Sequence, residues 1–250
     1  METVIFTAIG VGGATVIGAI LGFIFGRLSD RVSGAVLGFA SGVMLSAAFL
    51  GLLIPSLELG GDMCIIVTCA GVFVGAMCID LLDKLMPHLG KFSAPGDSSG
   101  EIAERLHKVM LFVLAIAIHN VPEGIAAGVG FGTGEVGDAL LIAGAIALQN
   151  IPEGMVIIAP MLSVGISRGR AFFYAALTGL VEVAGTFLGY YAVSVAQRLL
   201  PFALAFAGGT MLYVVAEEMI PEAQASGNKR TAAYSLLVGV ALMLALGELL

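Results

Sequence analysis

Two short segments of this chain carry almost the same polar side chains. The sequence HNVPEG at His119–Gly124 recurs 30 residues later as QNIPEG at Gln149–Gly154, and five of the six positions match in character. On a helix, His119, Asn120 and Glu123 share one face, which therefore presents imidazole, amide and carboxylate groups together. Such nitrogen and oxygen donors suit a borderline divalent ion such as Zn²⁺, Cd²⁺, Fe²⁺ or Mn²⁺. We therefore predict a metal-binding site shared by the two segments.

Each segment also contains residues that disturb a regular helix. Pro122 and Pro152 lack a backbone donor and clash with the preceding turn, so we expect each helix to bend and to leave a carbonyl free. In a membrane, such a carbonyl is tolerated beside a cavity. Gly124 and Gly154, directly after each glutamate, allow a second helix to approach closely. Both features favour a binding cavity between bent helices.

The composition places these segments in a lipid environment. Of the 250 residues, 59% are apolar and 12% are charged, and the mean hydropathy is +1.05. Soluble proteins average about 25% charged residues. The formal charge of −7 excludes a nucleic-acid partner, which needs clustered Lys and Arg, and favours cations instead. The chain is therefore predicted to be an all-α integral membrane protein embedded in the lipid bilayer.

Eight apolar runs are long enough to cross a bilayer, which requires about 20 residues. The predicted spans are Val4–Gly26, Ser33–Leu57, Asp62–Leu82, Val109–Phe131, Ala139–Leu162, Ala171–Gln197, Leu200–Ile220 and Thr231–Glu248. We predict one transmembrane transporter domain over residues 1–250, interrupted by a loop over residues 83–108 that is rich in Pro, Gly and Ser.

The basic residues predict the orientation of the chain. Ten of the 11 Lys and Arg residues follow odd-numbered spans, and only Arg198 lies in a loop on the opposite side. Cytoplasmic loops are enriched in Lys and Arg. The loop over residues 83–108 is therefore predicted to be cytoplasmic, with both termini outside.

A second similarity joins spans two and seven. The segment FASGVML at Phe39–Leu45 resembles FAGGTML at Phe206–Leu212, and these spans run in opposite directions, as spans four and five do. Oppositely oriented pairs are typical of inverted repeats, which in transporters place the substrate near the bilayer midplane. We predict two three-helix repeats around a central helix pair, a 3+2+3 arrangement.

Three glutamates fall near the midpoints of their spans. Glu123, Glu153 and Glu182 would each cost about 2.5 to 3.5 kcal/mol at a bilayer centre if nothing compensated them. A lone Glu or Asn can be an interhelical hydrogen-bond clasp, and a lone Pro only a kink. Two copies of one pattern at the same depth favour a shared cation site, which Glu182 could complete.

These motifs, the span count and the long loop after span three resemble the ZIP family of divalent-metal transporters, in particular its bacterial branch with QNIPEG in span five. The resemblance covers essentially the whole chain. It implies uptake of a divalent metal, with zinc first, across a bacterial inner membrane by elevator-like alternating access. It also implies no enzymatic activity and no cofactor besides the transported metal, and dimers occur in the family.

The resemblance further implies a binuclear centre. The first metal would use His119, Glu123, Gln149 and Glu153, with Met44 as a soft donor or only a packing residue. The second would use Asn120, Asn150 and Glu182, with Glu123 and Glu153 bridging. Asn150 is a neutral amide where other family members place an acidic or histidine residue, so occupancy of the second position stays open.

Acidic residues end two of the spans on the predicted cytoplasmic side. Asp80 and Asp83 end span three, and Glu217 and Glu218 end span seven, close to Glu222. We predict that the first four form a hydrated exit pathway.

Two functions other than that of a carrier use some or all of the same residues. A passive metal-selective channel would use every residue of the carrier, so only flux kinetics separate the two. An intramembrane metallohydrolase is disfavoured, because such zinc sites use H-E-x-x-H whereas this spacing is H-x-x-x-E without a second histidine in a span.

Overall fold

The computed structural model describes residues 1–26, 29–93, 101–133, 136–195, 197–225 and 228–249. Within these ranges, side chains are described except at residues 83, 85–93, 101–104, 108, 115, 133, 138, 197 and 249. Every regular element in the described ranges is helical, as the sequence predicts.

Eight long helices make up the described part of the chain, and each has an apolar stretch long enough to cross a membrane. They are α1 (Glu2–Phe25), α2 (Asp30–Leu59), α3 (Cys64–Ser93), α4 (Glu101–Val129), α5 (Val136–Ser163), α6 (Arg168–Val195), α7 (Leu200–Ala225) and α8 (Lys229–Leu249). The eight predicted spans are confirmed. However, α3 and α4 extend into the predicted loop. In α4 the reason is the helix-forming sequence EIAERLHK, which precedes its apolar run.

Helices α2 and α7 share an irregularity. A π-helical turn occupies Ala48–Leu53 in α2 and Val215–Met219 in α7, and Pro55 and Pro221 follow these turns. Proline leaves an earlier carbonyl without its donor, and a widened turn accommodates the defect. The turns begin at residues 48 and 215, an offset of 167 that also relates the FASGVML and FAGGTML segments. The structure thus supports the predicted relationship between these helices.

The helices form two bundles. Helices α1, α4, α5 and α6 make up one, which we call the motif bundle, and α2, α3, α7 and α8 make up the other, the flanking bundle. In the motif bundle, α1 packs on α5, and in the same way α6 packs on α4. In the flanking bundle, α2 packs on α8, and in the same way α7 packs on α3. This exchange of partners is what inverted three-helix repeats around α4 and α5 predict.

Glycines bring backbones into contact inside the motif bundle. A Cβ atom at Gly154 would collide with the carbonyl oxygen of Thr15, and one at Gly124 with that of Glu182. Between the bundles, Gly51 of α2 instead meets a side chain, that of Ile142 of α5. Backbone contact through small residues is a strong form of helix association in membranes. The two motifs are therefore held in a tightly packed unit.

Candidate metal centre

The two motifs lie on α4 and α5, and their polar side chains are buried. His119, Asn120, Glu123, Gln149 and Asn150 are each at most 5% exposed. Both helices continue through their motif prolines, as expected where neighbouring helices compensate the lost hydrogen bond.

Glutamates from α5 and α6 complete the same region. Glu153 is half-buried, whereas Glu182 of α6 is completely buried. Charged side chains are almost never buried without a partner. Their burial here therefore requires hydrogen bonds, protons or a cation.

Four buried side-chain atoms in the described part of the chain have no hydrogen-bond partner, and all four are acceptor oxygens. They are Oδ1 of Asn120, Oε2 of Glu123, Oε1 of Gln149 and Oε1 of Glu153. Leaving such an atom unsatisfied costs about 1 to 3 kcal/mol, and more for a charged group. All four come from the two motifs, which is the distribution expected of oxygens that surround a cation.

Glu182 accepts hydrogen bonds from residues of three neighbouring helices. Its Oε1 accepts hydrogen bonds from Thr15 Oγ1 at 3.1 Å and from Asn120 Nδ2 at 2.5 Å. Its Oε2 accepts a hydrogen bond from Asn150 Nδ2 at 2.6 Å. The structure thus brings together Asn120, Asn150 and Glu182, as the resemblance implies. The hydrogen bonds connect α1, α4, α5 and α6.

His119 connects the motifs to the flanking bundle. Its Nε2 lies 3.1 Å from Oε1 of Glu218, which belongs to the π-helical turn of α7. The Glu218 side chain is 40% exposed and that of His119 is 6% exposed. Glu218 is therefore the predicted exit residue that the structure places directly at the motifs.

Two other predicted exit residues, Asp80 and Glu217, have described side chains. Asp80 accepts hydrogen bonds from Lys84 Nζ at 2.6 Å and from Tyr213 Oη at 3.2 Å, so it links α3 to α7. Glu217 is exposed. The side chain of Asp83 lies outside the described residues. The exit pathway stays a prediction.

Met44 lies in the apolar core. It is 1% exposed and belongs to a cluster with Val43, Ala47, Ala126 and Met211. These neighbours support its packing role, while its role as a metal ligand stays a prediction.

Amide oxygens stand beside the carboxylates among the candidate ligands. No three His, Cys, Asp or Glu side chains in the described ranges are placed to hold a metal ion by themselves. An ion bound among the four unpartnered oxygens would therefore use the amide oxygens of Asn120 or Gln149 in addition to carboxylates. Amide and carboxylate oxygens with one imidazole can serve borderline divalent ions.

Thr15 was missed by the sequence analysis. A single threonine in an apolar helix has no distinctive pattern, because its hydroxyl can bond its own backbone. Thr15 could have been found from its separation of 167 residues from Glu182. The same offset relates the FASGVML and FAGGTML segments of the two inverted repeats. Thr15 therefore occupies in α1 the position that Glu182 occupies in α6.

An all-helical membrane protein with opposed, proline-containing helices around buried acceptor groups has the architecture of a cation transporter. The family model of the ZIP zinc transporters matches residues 91–247. The chain is 38% identical to the zinc transporter GufA of Myxococcus xanthus, with 94% of each chain covered. It is 35% identical to the zinc transporter ZIP11 of Xenopus tropicalis, covering 94% of this chain and 93% of the relative.

A third relative is the zinc transporter ZIPB of Bordetella bronchiseptica, which is 36% identical over 92% of this chain and 76% of its own length. The chain therefore belongs to the ZIP family, and the resemblance drawn from the motifs is confirmed. It is a multi-pass membrane protein that transports divalent metal ions, and its relatives are transporters rather than enzymes.

Proposed function

We propose that this protein carries zinc into the cytoplasm and that His119, Glu123, Gln149 and Glu153 bind the ion in transit. The observation that carries the proposal is the set of four buried acceptor oxygens that lack partners in the described structure. Three of them belong to these residues, and the imidazole of His119 adds a nitrogen donor. The described structure does not group His119, Glu123 and Glu153 as metal ligands, so we propose that these side chains converge on the ion when it binds. The three relatives named above are all zinc transporters, which favours zinc over cadmium, iron or manganese.

The two bundles suggest how the ion crosses the membrane. We propose that the motif bundle moves as a unit against the flanking bundle, in an elevator-like alternating-access cycle. The backbone contacts at Gly124 and Gly154 support a rigid motif bundle, and the contact of the Ile142 side chain with Gly51 is a looser kind of contact between the bundles. The residues that bind the ion would then travel together with it.

We further propose that Glu218 receives the ion from His119 and that Asp80, Asp83 and Glu217 line the way to the cytoplasm. The contact between His119 and Glu218 supports this order. The orientation rests on the distribution of basic residues, which favours outside termini. We also propose that the protein lies in a bacterial inner membrane, that residues 1–250 form a single transporter domain, and that the protein forms a homodimer.

Transport of zinc, cadmium, iron and manganese into proteoliposomes tests this function. We expect zinc uptake that saturates at micromolar to millimolar concentration and a turnover limited by conformational change on a microsecond-to-second timescale. A metal flux far faster than such conformational changes would instead indicate a passive metal-selective channel. A matched control is Glu58→Gln, because Glu58 is exposed and lies away from the motifs. Absence of flux for all four metals would contradict the proposal.

A further inference from the structure

We infer that Thr15, Asn120 and Asn150 hold Glu182 as an interhelical clasp, and that the centre consequently binds one metal ion per chain instead of two. The inference concerns the site where zinc is proposed to bind, so it rests on the proposed function. It assigns Glu182, the amide group of Asn150 and the amide nitrogen of Asn120 to this clasp, leaves the oxygen of Asn120 free for the ion, and adds a residue, Thr15.

The two asparagines present nitrogen, not oxygen, to Glu182. Asn120 Nδ2 donates to Glu182 Oε1 at 2.5 Å and to the backbone carbonyl of Thr178 at 3.4 Å. Asn150 Nδ2 donates to Glu182 Oε2 at 2.6 Å and to the backbone carbonyl of Val11 at 3.2 Å. Each amide group thereby uses both of its hydrogens.

This double donation fixes the direction of each amide. Rotating either side chain by half a turn would break both of its donated hydrogen bonds, the one to Glu182 and the one to a backbone carbonyl. A metal ion at the second position would need those amide oxygens to face Glu182. The observed directions therefore oppose a second metal.

Thr15 supplies the remaining donor. Its hydroxyl donates to Glu182 Oε1 at 3.1 Å, and both side chains are completely buried. Thr15 and Glu182 are equivalent positions of the two repeats, and the carbonyl groups of both abut a motif glycine, Gly154 and Gly124 respectively. The hydrogen bond between Thr15 and Glu182 thus joins equivalent positions of the two inverted repeats.

The unpartnered oxygens also distinguish the proposed metal ligands from Glu182 and Asn150. None of the four such atoms in the described structure belongs to Glu182 or Asn150, and Oδ1 of Asn150 accepts a hydrogen bond from Gln149 Nε2 at 3.4 Å. The oxygen of Asn120, whose nitrogen is used by Glu182, is left unpartnered with those of Glu123, Gln149 and Glu153. All four unpartnered acceptors therefore come from residues outside the pair of Asn150 and Glu182, which favours one cation over two.

Metal content of the purified full-length protein tests the inference. After zinc loading and removal of free metal by gel filtration, mass spectrometry of the metal should give one zinc per chain. Asn150→Asp should raise the content to two, because a carboxylate then replaces the donor that faces Glu182. Two zinc ions in the unaltered protein would overturn the clasp. No bound zinc would instead contradict the proposed function, so the two failures are distinguishable.

Thermal unfolding of the metal-free protein tests Thr15 itself. Thr15→Val keeps the shape and removes the donor, so we expect the unfolding temperature to fall by roughly 2 to 4 °C. Thr15→Ser keeps the hydroxyl and should unfold near the temperature of the unaltered protein. Zinc content should stay at one per chain in both variants. A valine variant that unfolds at the unaltered temperature would overturn the role of Thr15.

Discussion

Nε2 of His119 lies 3.1 Å from Oε1 of Glu218, and this contact joins the motif bundle to the flanking bundle. An imidazole proposed to bind metal and a carboxylate proposed to receive it are therefore in direct contact. If the bundles slide, this pair must separate or exchange its partner. The contact thus links metal binding to the movement proposed for transport.

Removing the charge of Glu218 tests this link. We expect Glu218→Gln to lower the rate of zinc transport by roughly tenfold, the effect of losing one charge-assisted hydrogen bond, while zinc affinity changes little. Radiotracer uptake and isothermal titration calorimetry measure the two quantities, with Glu58→Gln as the control. Transport at the unaltered rate would contradict the proposed order of His119 and Glu218.

Glu123 is expected to be indispensable. Glu123→Ala removes a proposed ligand and also a buried acidic group, so the protein should remain folded while zinc uptake falls to the level of empty liposomes. Gel filtration in detergent checks the fold, and proteoliposome uptake checks the function. Substantial uptake by the folded variant would count decisively against the site.

Acid should weaken metal binding. Carboxylates and imidazole must lose their protons before they can bind a metal, so protons compete with the ion and binding releases them. Zinc affinity measured in detergent should therefore fall as the pH is lowered from neutral to mildly acidic. An affinity that stays constant over this range would show that the ligands do not include titrating groups such as His119, Glu123 and Glu153.

The glycine contacts predict opposite effects at two positions of α5. Gly154→Ala would place a methyl group against the carbonyl of Thr15, and we expect a loss of about 1 to 3 kcal/mol of stability. Gly144→Ala, on the same helix, meets no atom within 4 Å and should be neutral or stabilise by about 0.5 to 1 kcal/mol. Thermal unfolding of both variants compares them. Equal stability would contradict the close packing of α1 on α5.

Paired methionine substitutions separate packing from metal binding. Met44 and Met243 are both buried in the same apolar cluster, and replacing either by leucine should cost less than about 1.5 kcal/mol. If Met44 only packs, neither variant should change the affinity for cadmium, which prefers soft ligands. Weaker cadmium binding in Met44→Leu alone would show that its sulfur binds the metal.

The sequence was sufficient for the spans because lipid imposes long apolar helices. The burial of Glu123 could also be predicted from its motif, while metal binding by the motif residues stays a prediction. The π-helical turns were not predicted, since Pro55 and Pro221 only indicate that a helix is disturbed. Thr15 was missed because its hydrogen bond to Glu182 joins residues far apart in the chain, where no local pattern records the contact.

Anomalous diffraction from zinc-loaded crystals locates the ion independently of any variant. We predict an anomalous peak midway through the bilayer within coordinating distance of His119, Glu123, Gln149 and Glu153. A protein that transports zinc but whose zinc peaks lie away from all four side chains would contradict it.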